Sequence, residues 1–394
     1  MNILLLVISI LLLAERIWKY AKVQQFFQSA SAPNIADTNQ TVSILQPILS
    51  CDPTLWDCLA KNLQMQTGYQ TEFLWLIDED DTVAFSGCQK LISEYPNCNV
   101  RLISLPPPSD GISPKTFKLI AGLKELKGEI IVVLDDDTIL PDYGLEECLP
   151  YLNQPEIGLA FGLPYYINFG NFWSSLVSCF VNGNSLLTYI PYTFLIHPFT
   201  INGMFYAIKK DVLVKVGGFS GLESAICDDY AIAKRFRSQG YRLAQTPLRH
   251  GISTQVENAS HYFNILNRWL IFPQASIMKS ATIGELSLFY ALVLLPNFFP
   301  LLTVIYLLIF PSIYSAIFCF IYFGFNAYMM IEFNRRYLNQ ATPNSKIIWI
   351  LLIQIILPFQ IVASLLSPRK INWRGHIMEI NQEGGFKFVQ RRQV

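Results

Sequence analysis

The sequence predicts an α/β domain with a mostly parallel sheet, set between membrane-associated segments at the two ends of the chain. Short β-branched runs alternate with helical patterns through the middle of the chain, which is the succession that builds a parallel sheet covered on both faces. Hydrophobic residues make up 52% of the 394 residues and charged residues only 15%, and the apolar excess is concentrated at the ends.

The first apolar segment lies at the N-terminus. Residues 3–14 form an apolar run that is shorter than a membrane span, so the helix must continue several residues further to cross a bilayer. We expect an uncleaved membrane anchor over residues 1–24. Arg16, Lys19 and Lys22 follow the run, and positive charges in this position favour the cytoplasm for the chain that comes next.

A globular domain is expected over residues 40–280. Its β-branched runs predict strands at 41–45, 73–77, 100–105 and 130–134. The helical patterns between them predict helices near 54–65, 83–95 and 115–126. The turn after the first strand contains no G-x-G-x-x-G, which disfavours a dinucleotide-binding Rossmann enzyme.

Residues 172–200 are rich in aromatic and aliphatic side chains but are interrupted by Asn182, Gly183 and Asn184. The segment suits an interfacial element that guides a lipid, and core packing explains it equally well.

Three apolar stretches predict transmembrane helices in the region 281–368, at 286–310, 312–331 and 347–366. A polar tail, 369–394, follows them. With the N-terminal anchor, three spans would put this tail outside, whereas its basic residues favour the inside, namely Arg369, Lys370 and Arg374. One of the four segments is therefore a candidate for an interfacial or re-entrant position.

Acidic residues stand at the ends of the predicted strands and at the start of a helical segment. Asp78 follows FLWLI, three aspartates from Asp135 follow IIVVL, and Asp228 and Asp229 open YAIAKRF. Carboxylates at strand ends project into the crevice where open α/β sheets bind ligands. The D-x-D spacing of Asp135 and Asp137 suits a divalent cation that holds a diphosphate. Solvated turns and a helix N-terminus with stabilised carboxylates are the alternatives.

Asp136, between the two aspartates of the D-x-D, is expected to point away from the cation.

A resemblance to a known family rests on eight sequence blocks, which match the family in order and spacing. The blocks are VSILQPILSCDP, LWLIDEDD, GISPKTFKL, IVVLDDDTILPD, GLPYY, NGMFYAIKKDVL, CDDYAIAKRF and NRW. Over residues 1–370 the chain resembles the ceramide glucosyltransferases, which are inverting membrane glycosyltransferases with a GT-A fold.

The resemblance implies a role for each matching residue. Asp78 and Lys115 would lie at the nucleotide, and Asp135 would bind the donor together with the arginine and tryptophan of the R-W signature, Arg268 and Trp269. Asp135 and Asp137 would hold Mg²⁺ or Mn²⁺. Asp229 would be the general base that takes the proton from the acceptor hydroxyl.

The chain departs from the family pattern at two positions. Ile265 stands where the (Q/R)-x-x-R-W signature has glutamine or arginine, and Gln46 stands where relatives often carry lysine. Gly162 and Gly203 are candidates for close backbone approach to a ligand, although ordinary turns explain them almost as well.

We therefore expect a metal-dependent enzyme that transfers a hexose with inversion from a UDP-hexose, most simply UDP-glucose, to the hydroxyl of a membrane lipid such as ceramide. The alternatives are a polysaccharide synthase and an inactive membrane scaffold or transport component. Lys+Arg and Asp+Glu both total 29, so no nucleic-acid partner is expected. The eight cysteines contain no C-x-x-C pair, so a reduced, cytoplasmic catalytic domain fits best. The apolar segments predict an integral membrane protein.

Overall fold

The computed structural model of the protein describes residues 3–30, 40–225, 227–367, 370–380 and 385–392. Its strands are β1 (Thr41–Pro47), β2 (Gln70–Asp78), β3 (Val100–Leu105), β4 (Ile130–Leu134), β5 (Thr138–Ile139), β6 (Ile157–Tyr166), β7 (Phe205–Lys209), β8 (Arg242–Ile252), β9 (Lys370–Trp373), β10 (His376–Ile380) and β11 (Phe386–Gln390). Its α-helices are α1 (Ile3–Ser29), α2 (Leu55–Gln64), α3 (Thr82–Glu94), α4 (Pro114–Leu123), α5 (Gly144–Cys148), α6 (Phe172–Thr193), α7 (Lys210–Lys215), α8 (Asp228–Ser238), α9 (Ala259–Ser280), α10 (Ile283–Phe289), α11 (Phe299–Ile309), α12 (Ile313–Arg336) and α13 (Ile347–Leu366).

The large sheet has the order β3-β2-β1-β4-β7-β6-β8-β5. The strands β1 to β4 pair parallel with one another and are joined by the crossover helices α2, α3 and α4. The strand β7 pairs antiparallel with β4 and β6, and β5 pairs antiparallel with β8. The predicted mostly parallel sheet is thus confirmed. The four predicted strands and three predicted helices all occur within a few residues of the expected bounds.

The core has one apolar layer on each face of this sheet. Trp75 in β2 is fully buried and donates its indole N–H to Gln46 Oε1 at 2.9 Å. The departure at Gln46 therefore supplies the acceptor that a buried indole requires. Gly162 lies inside β6, where an added Cβ would come within 2.8 Å of His250 Nδ1 and 3.0 Å of the Leu248 carbonyl oxygen. This glycine makes room for core packing and is not part of a turn.

Three helical stretches among the described residues are long and apolar enough to cross a membrane: Ile283–Ile309, Ile313–Arg336 and Asn344–Leu366. They correspond to the three predicted segments. The first is composite, because a π-helical turn and a 3₁₀ turn containing Pro296 separate α10 from α11. The helix α1 packs against α6 and α12, and its N-terminal half is largely exposed.

Two basic residues of α1 bind the irregular part of the composite helix. Arg16 donates to the Pro296 carbonyl at 2.9 Å, and Lys19 donates to the Leu292 carbonyl at 2.7 Å. Both side chains are buried. A broken helix in an apolar environment needs such donors for its released carbonyls. Two of the three positive charges that predicted the orientation of the chain in the membrane, Arg16 and Lys19, therefore bind carbonyls of the composite helix.

Both ends of α13 contact the α/β domain. In the turn before it, Asn182 in α6 donates to Thr342 Oγ1 at 3.0 Å. Near its end, Ser364 donates to Asn267 Oδ1 at 2.5 Å. Beyond α13, the strands β9 to β11 form an antiparallel sheet on the domain. The tail thus packs against the α/β domain, so we expect both on the same side of the membrane. Arg369, one of its basic residues, lies outside the described residues.

Candidate active site

A cavity of about 460 Å³ opens at the carboxyl ends of β1, β2 and β4. It brings together residues from distant parts of the sequence, and five of those predicted to be functional line it: Asp78, Lys115, Asp135, Asp137 and Arg268. Two other predicted residues, Trp269 and Asp229, do not line this cavity. The placement agrees with the rule that open α/β sheets bind ligands at the carboxyl ends of their strands.

The three aspartates after β4 face different partners. Asp135 lies 2.7 Å from Lys115 Nζ, and Asp137 accepts a hydrogen bond from Thr254 Oγ1 at 2.9 Å. Asp136 is buried and accepts from the Leu49 N–H at 2.9 Å and from Arg374. Burial raises the pKa of Asp135 to about 6, with Asp137 adding to the rise and Lys115 opposing it.

Lys115 connects two acidic groups. It follows Pro114 in the first turn of α4, which is capped by Ser113. Its Nζ lies 2.7 Å from Asp135, 3.3 Å from Asp228 and 2.9 Å from the Gly203 carbonyl oxygen. Burial alone would lower the pKa of Lys115, but the two carboxylates raise it above its ordinary value, so the ammonium stays charged.

Asp78 ends β2 with one oxygen engaged and one not. Lys118 donates to Asp78 Oδ2 at 3.0 Å and to the Ile48 carbonyl at 2.9 Å. Asp78 Oδ1 is buried and has no hydrogen-bond partner within the described parts of the chain. A buried carboxylate oxygen without a donor is costly, so this atom is suited to accept a hydrogen bond from a bound ligand.

Asp229 lies beside the cavity, behind Gly203. An added Cβ at Gly203 would come within 3.2 Å of the Asp229 Cβ, a tight contact that would require Asp229 to shift by a few tenths of an ångström. Asp229 Oδ1 accepts from Cys227 Sγ at 2.7 Å and from the Tyr230 N–H at 2.8 Å. Burial, followed by the Asp228 charge, raises the pKa of Asp229 to about 6.

Arg268 and Trp269 point in different directions from α9. Arg268 lines the cavity, where burial lowers the pKa of its guanidinium while Asp137 and Asp135 oppose this effect. The Trp269 indole stacks on Phe180 at 5.9 Å between ring centroids and meets Tyr166 edge-on at 6.0 Å. Trp269 therefore packs in an apolar cluster, and the ring stacking on substrate expected for it stays a prediction.

Sequence reasoning missed the contribution of the C-terminal tail. The cavity is also lined by four consecutive residues of the β9–β10 hairpin, from Asn372 to Gly375. The Arg374-Gly375 pair between two short alternating runs is a local hairpin signal, but it says nothing about where the hairpin docks.

The donor set of the D-x-D turn fits a hard divalent cation. Asp135 and Asp137 offer carboxylate oxygens on one turn, and both line the cavity. Within the described residues no group of three or more His, Cys, Asp or Glu side chains converges on one point. Mg²⁺ and Mn²⁺ commonly need only one or two carboxylates when phosphates and water complete their coordination, so two ligands suffice.

Comparison with known proteins agrees with this geometry. The model of glycosyl transferase family 21 matches residues 1–386. A ceramide glucosyltransferase from Gibberella zeae is 28% identical over 102 residues, which are 24% of this chain and only 19% of the length of that relative. A mannosyltransferase from Pyrobaculum calidifontis, solved with GDP-Man and Mn²⁺, superposes with a TM-score of 0.51 at 16% identity, covering 91% of this chain and 98% of that one. The structural likeness supports the GT-A fold, and the match along almost the whole chain places this protein in glycosyl transferase family 21, the family of the ceramide glucosyltransferases.

Proposed function

We propose that this glycosyltransferase is metal-dependent and transfers a hexose with inversion, glucose from UDP-glucose, to the hydroxyl of a membrane lipid such as ceramide. The observation that carries the proposal is that one cavity is lined by Asp78, Lys115, Asp135, Asp137 and Arg268 together. The described part of the chain also has three apolar helices long enough to cross a membrane. The ceramide glucosyltransferase and the GDP-Man-bound mannosyltransferase described above agree with a nucleotide sugar as donor.

The nucleotide sugar would bind to both acidic and basic side chains. Asp78 Oδ1, buried and without a partner in the described structure, suits a uracil N–H or a ribose hydroxyl. Arg268 offers a guanidinium to the diphosphate. Asp135 and Asp137 would hold the Mg²⁺ or Mn²⁺, which when bound neutralises charge on the leaving diphosphate.

Asp229 is the residue that we assign as general base. Its pKa of about 6 leaves it mostly ionised at neutral pH yet basic enough to take a proton from a hydroxyl. The two hydrogen bonds from Cys227 and Tyr230 use Oδ1, so Oδ2 is assigned as the proton acceptor. Proton removal as the hydroxyl oxygen attacks the anomeric carbon, opposite the diphosphate, gives inversion in one displacement.

The lipid would approach along α6. This helix contacts α1 and α13, and burial together with the nearby Asp229 carboxylate raises the pKa of its Tyr189. Many α6 side chains are buried, which gives core packing a direct role. The guiding role for residues 172–200 is part of the proposal, as is a cytoplasmic position for the catalytic domain, where nucleotide sugars are available.

The test uses the purified full-length protein with a panel of radiolabelled nucleotide sugars and a total lipid extract. UDP-glucose should place label in a lipid that comigrates with a glucosylated long-chain alcohol or ceramide. Label in a water-soluble or insoluble polymer would indicate a polysaccharide synthase instead. Absence of transfer from every donor would contradict the proposed function.

A further inference from the structure

The small C-terminal sheet, β9 to β11, is bound to loops beside the cavity, and residues of its first hairpin line the cavity. Arg392, just after β11, donates to the Ser50 carbonyl at 2.5 Å and lies 3.7 Å from Asp81, the residue that caps α3. Ser50 and Asp81 belong to the loops that follow β1 and β2. The sheet is thus held at the edge of the large sheet where the predicted ligand residues lie.

The β9–β10 turn places one arginine inside the cavity. Arg374 and Gly375 have φ angles of 49° and 88°, the pair of positive values that a tight two-residue hairpin turn requires. A left-handed conformation is unfavourable for arginine, so the surrounding contacts must hold it. Its side chain lines the cavity and is about one-fifth exposed, at 22%.

Asp136 holds the Arg374 guanidinium in a fixed orientation. Arg374 Nη1 donates to Asp136 Oδ2 at 2.7 Å, and Nη2 lies 2.6 Å from Oδ1. Asp136 is only 3% exposed and is itself fixed by the Leu49 N–H. Nη2 also lies 3.5 Å from Asp137 Oδ2, so the guanidinium contacts two aspartates of the D-x-D turn. A guanidinium has five N–H donors, so donors remain for a further acceptor.

The other cations of the cavity are already engaged. Lys115 Nζ has three contacts, with Asp135, Asp228 and the Gly203 carbonyl, which match its three N–H donors. Lys118 binds Asp78 and the Ile48 carbonyl. Among the described Lys and Arg residues that line the cavity, the two guanidinium groups, of Arg268 and Arg374, are best able to bind a further anion. The arginine fork matches the oxygens of a phosphate.

We propose that Arg374 is a further donor-binding residue, which binds the diphosphate of the nucleotide sugar, and that Asp136 positions it. This inference rests on the proposed function, because it needs a nucleoside diphosphate in the cavity. It gives the C-terminal hairpin a role in substrate binding and distinguishes Asp136 from the two aspartates that flank it.

The test measures the binding of UDP and of UMP, each with Mn²⁺, by calorimetry on the full-length protein in lipid nanodiscs. Arg374→Gln should raise the Kd for UDP by about tenfold or more and should raise that for UMP much less. Arg374→Lys should fall between wild type and Arg374→Gln because an ammonium lacks the fork. Asp136→Asn should resemble Arg374→Gln, and the double variant should add little to either single change.

Arg391→Gln is the matched control, because Arg391 ends the same sheet but pairs with the exposed Asp110 outside the cavity. It should bind UDP as the wild type does. A UDP Kd for Arg374→Gln within about twofold of wild type would overturn the inference. Equal losses of affinity for UDP and UMP would also overturn it, since they would indicate a collapsed cavity. Tighter binding of UDP would overturn it as well, because it would show that the hairpin opposes UDP binding. Failure of the wild type to bind UDP would instead contradict the proposed function itself.

Discussion

At the scale of single residues, the active site is organised around Lys115. Its ammonium joins Asp135, on the turn after β4, to Asp228, at the start of α8, across the carbonyl of Gly203. Gly203 in turn lets Asp229 come close to this ion pair. Lys115 therefore joins the carboxylate assigned to the metal to Asp228, the neighbour of the assigned base, and its charge also acts on Asp229. Their pKa values are both raised by burial to about 6.

The metal assignment predicts a strong effect of Asp137→Asn. The substitution keeps the shape of the side chain but removes one of the two charged ligands, so transfer should fall by about 100-fold or more. Excess chelator should have the same effect on the wild type, and added Mn²⁺ or Mg²⁺ should reverse it. Asp142→Asn is the control, since Asp142 lies outside the cavity, where it accepts a hydrogen bond from the Gln66 N–H. Full activity of the wild type in excess chelator would contradict the assignment.

The base assignment predicts a loss of turnover with little loss of donor binding. Asp229→Asn removes the proton acceptor, so kcat should fall by about 100-fold or more while the donor KM stays within about twofold. Asp228→Asn should be milder. Because the pKa of Asp229 is raised to about 6, the wild-type kcat should fall as pH decreases through that value and the base becomes protonated. Near-normal turnover of Asp229→Asn would move the base elsewhere, with Asp228 the next candidate.

At the scale of elements, the strands differ in how well the sequence predicts them. The strands β1 to β4 are short aliphatic runs, and each of the first three is followed by a helix with its own apolar stripe, so their pattern could be recognised. The strand β8 contains Gln245, Thr246 and His250 at buried positions. Gln245 and Thr246 both donate to the Phe161 carbonyl inside the sheet, whereas Gln245 Oε1 and both His250 ring nitrogens have no partner among the described residues.

The residues of the candidate active site also differ in how well the sequence predicts their positions. Carboxylates that directly follow a buried strand could be predicted, because the ends of parallel strands meet at one edge of the sheet. The direction of Trp269 could not, since it depends on its packing against Phe180 in another helix. Arg374 could not either, because it is 238 residues from Asp136 and lies in a polar tail. Long-range docking of this kind leaves no periodic pattern in the sequence.

The contact between α1 and the composite helix predicts a selective loss of stability. Arg16→Met keeps the length of the side chain but removes the donor to the Pro296 carbonyl, which should cost about 2 kcal/mol. Lys22→Met in the same helix is the comparison, because Lys22 is half-buried, donates to the nearby Gln25 and lies over the Phe194 ring, but is not bound to the composite helix. Thermal unfolding in detergent should give a lower Tm for Arg16→Met than for Lys22→Met. Equal Tm values would show that the contact contributes no stability.

At the scale of the whole molecule, the contacts at the ends of α13 limit how the chain crosses the membrane. A 20-residue helix is about 30 Å long, enough to span a bilayer, yet α13 begins and ends at the α/β domain. The stretches Ile283–Ile309 and Ile313–Arg336 then form a hairpin that leaves this side and returns to it. We infer that α13 lies between α6 and α9 on one side and α11 and α12 on the other, and delivers the tail to the cavity.

This arrangement predicts which positions an impermeant thiol reagent can reach in intact cells. Phe310→Cys lies at the tip of the hairpin between α11 and α12 and should be labelled from outside. Val83→Cys in the domain and Val389→Cys in β11 replace exposed side chains and should be labelled only after permeabilisation, because the domain and the tail share one side, proposed to be the cytoplasm. The parent protein, labelled in parallel, gives the background from its own cysteines. Outside labelling of Val389→Cys with protection of Val83→Cys would show that α13 crosses the membrane, and the docking of Arg374 at Asp136 would then be excluded.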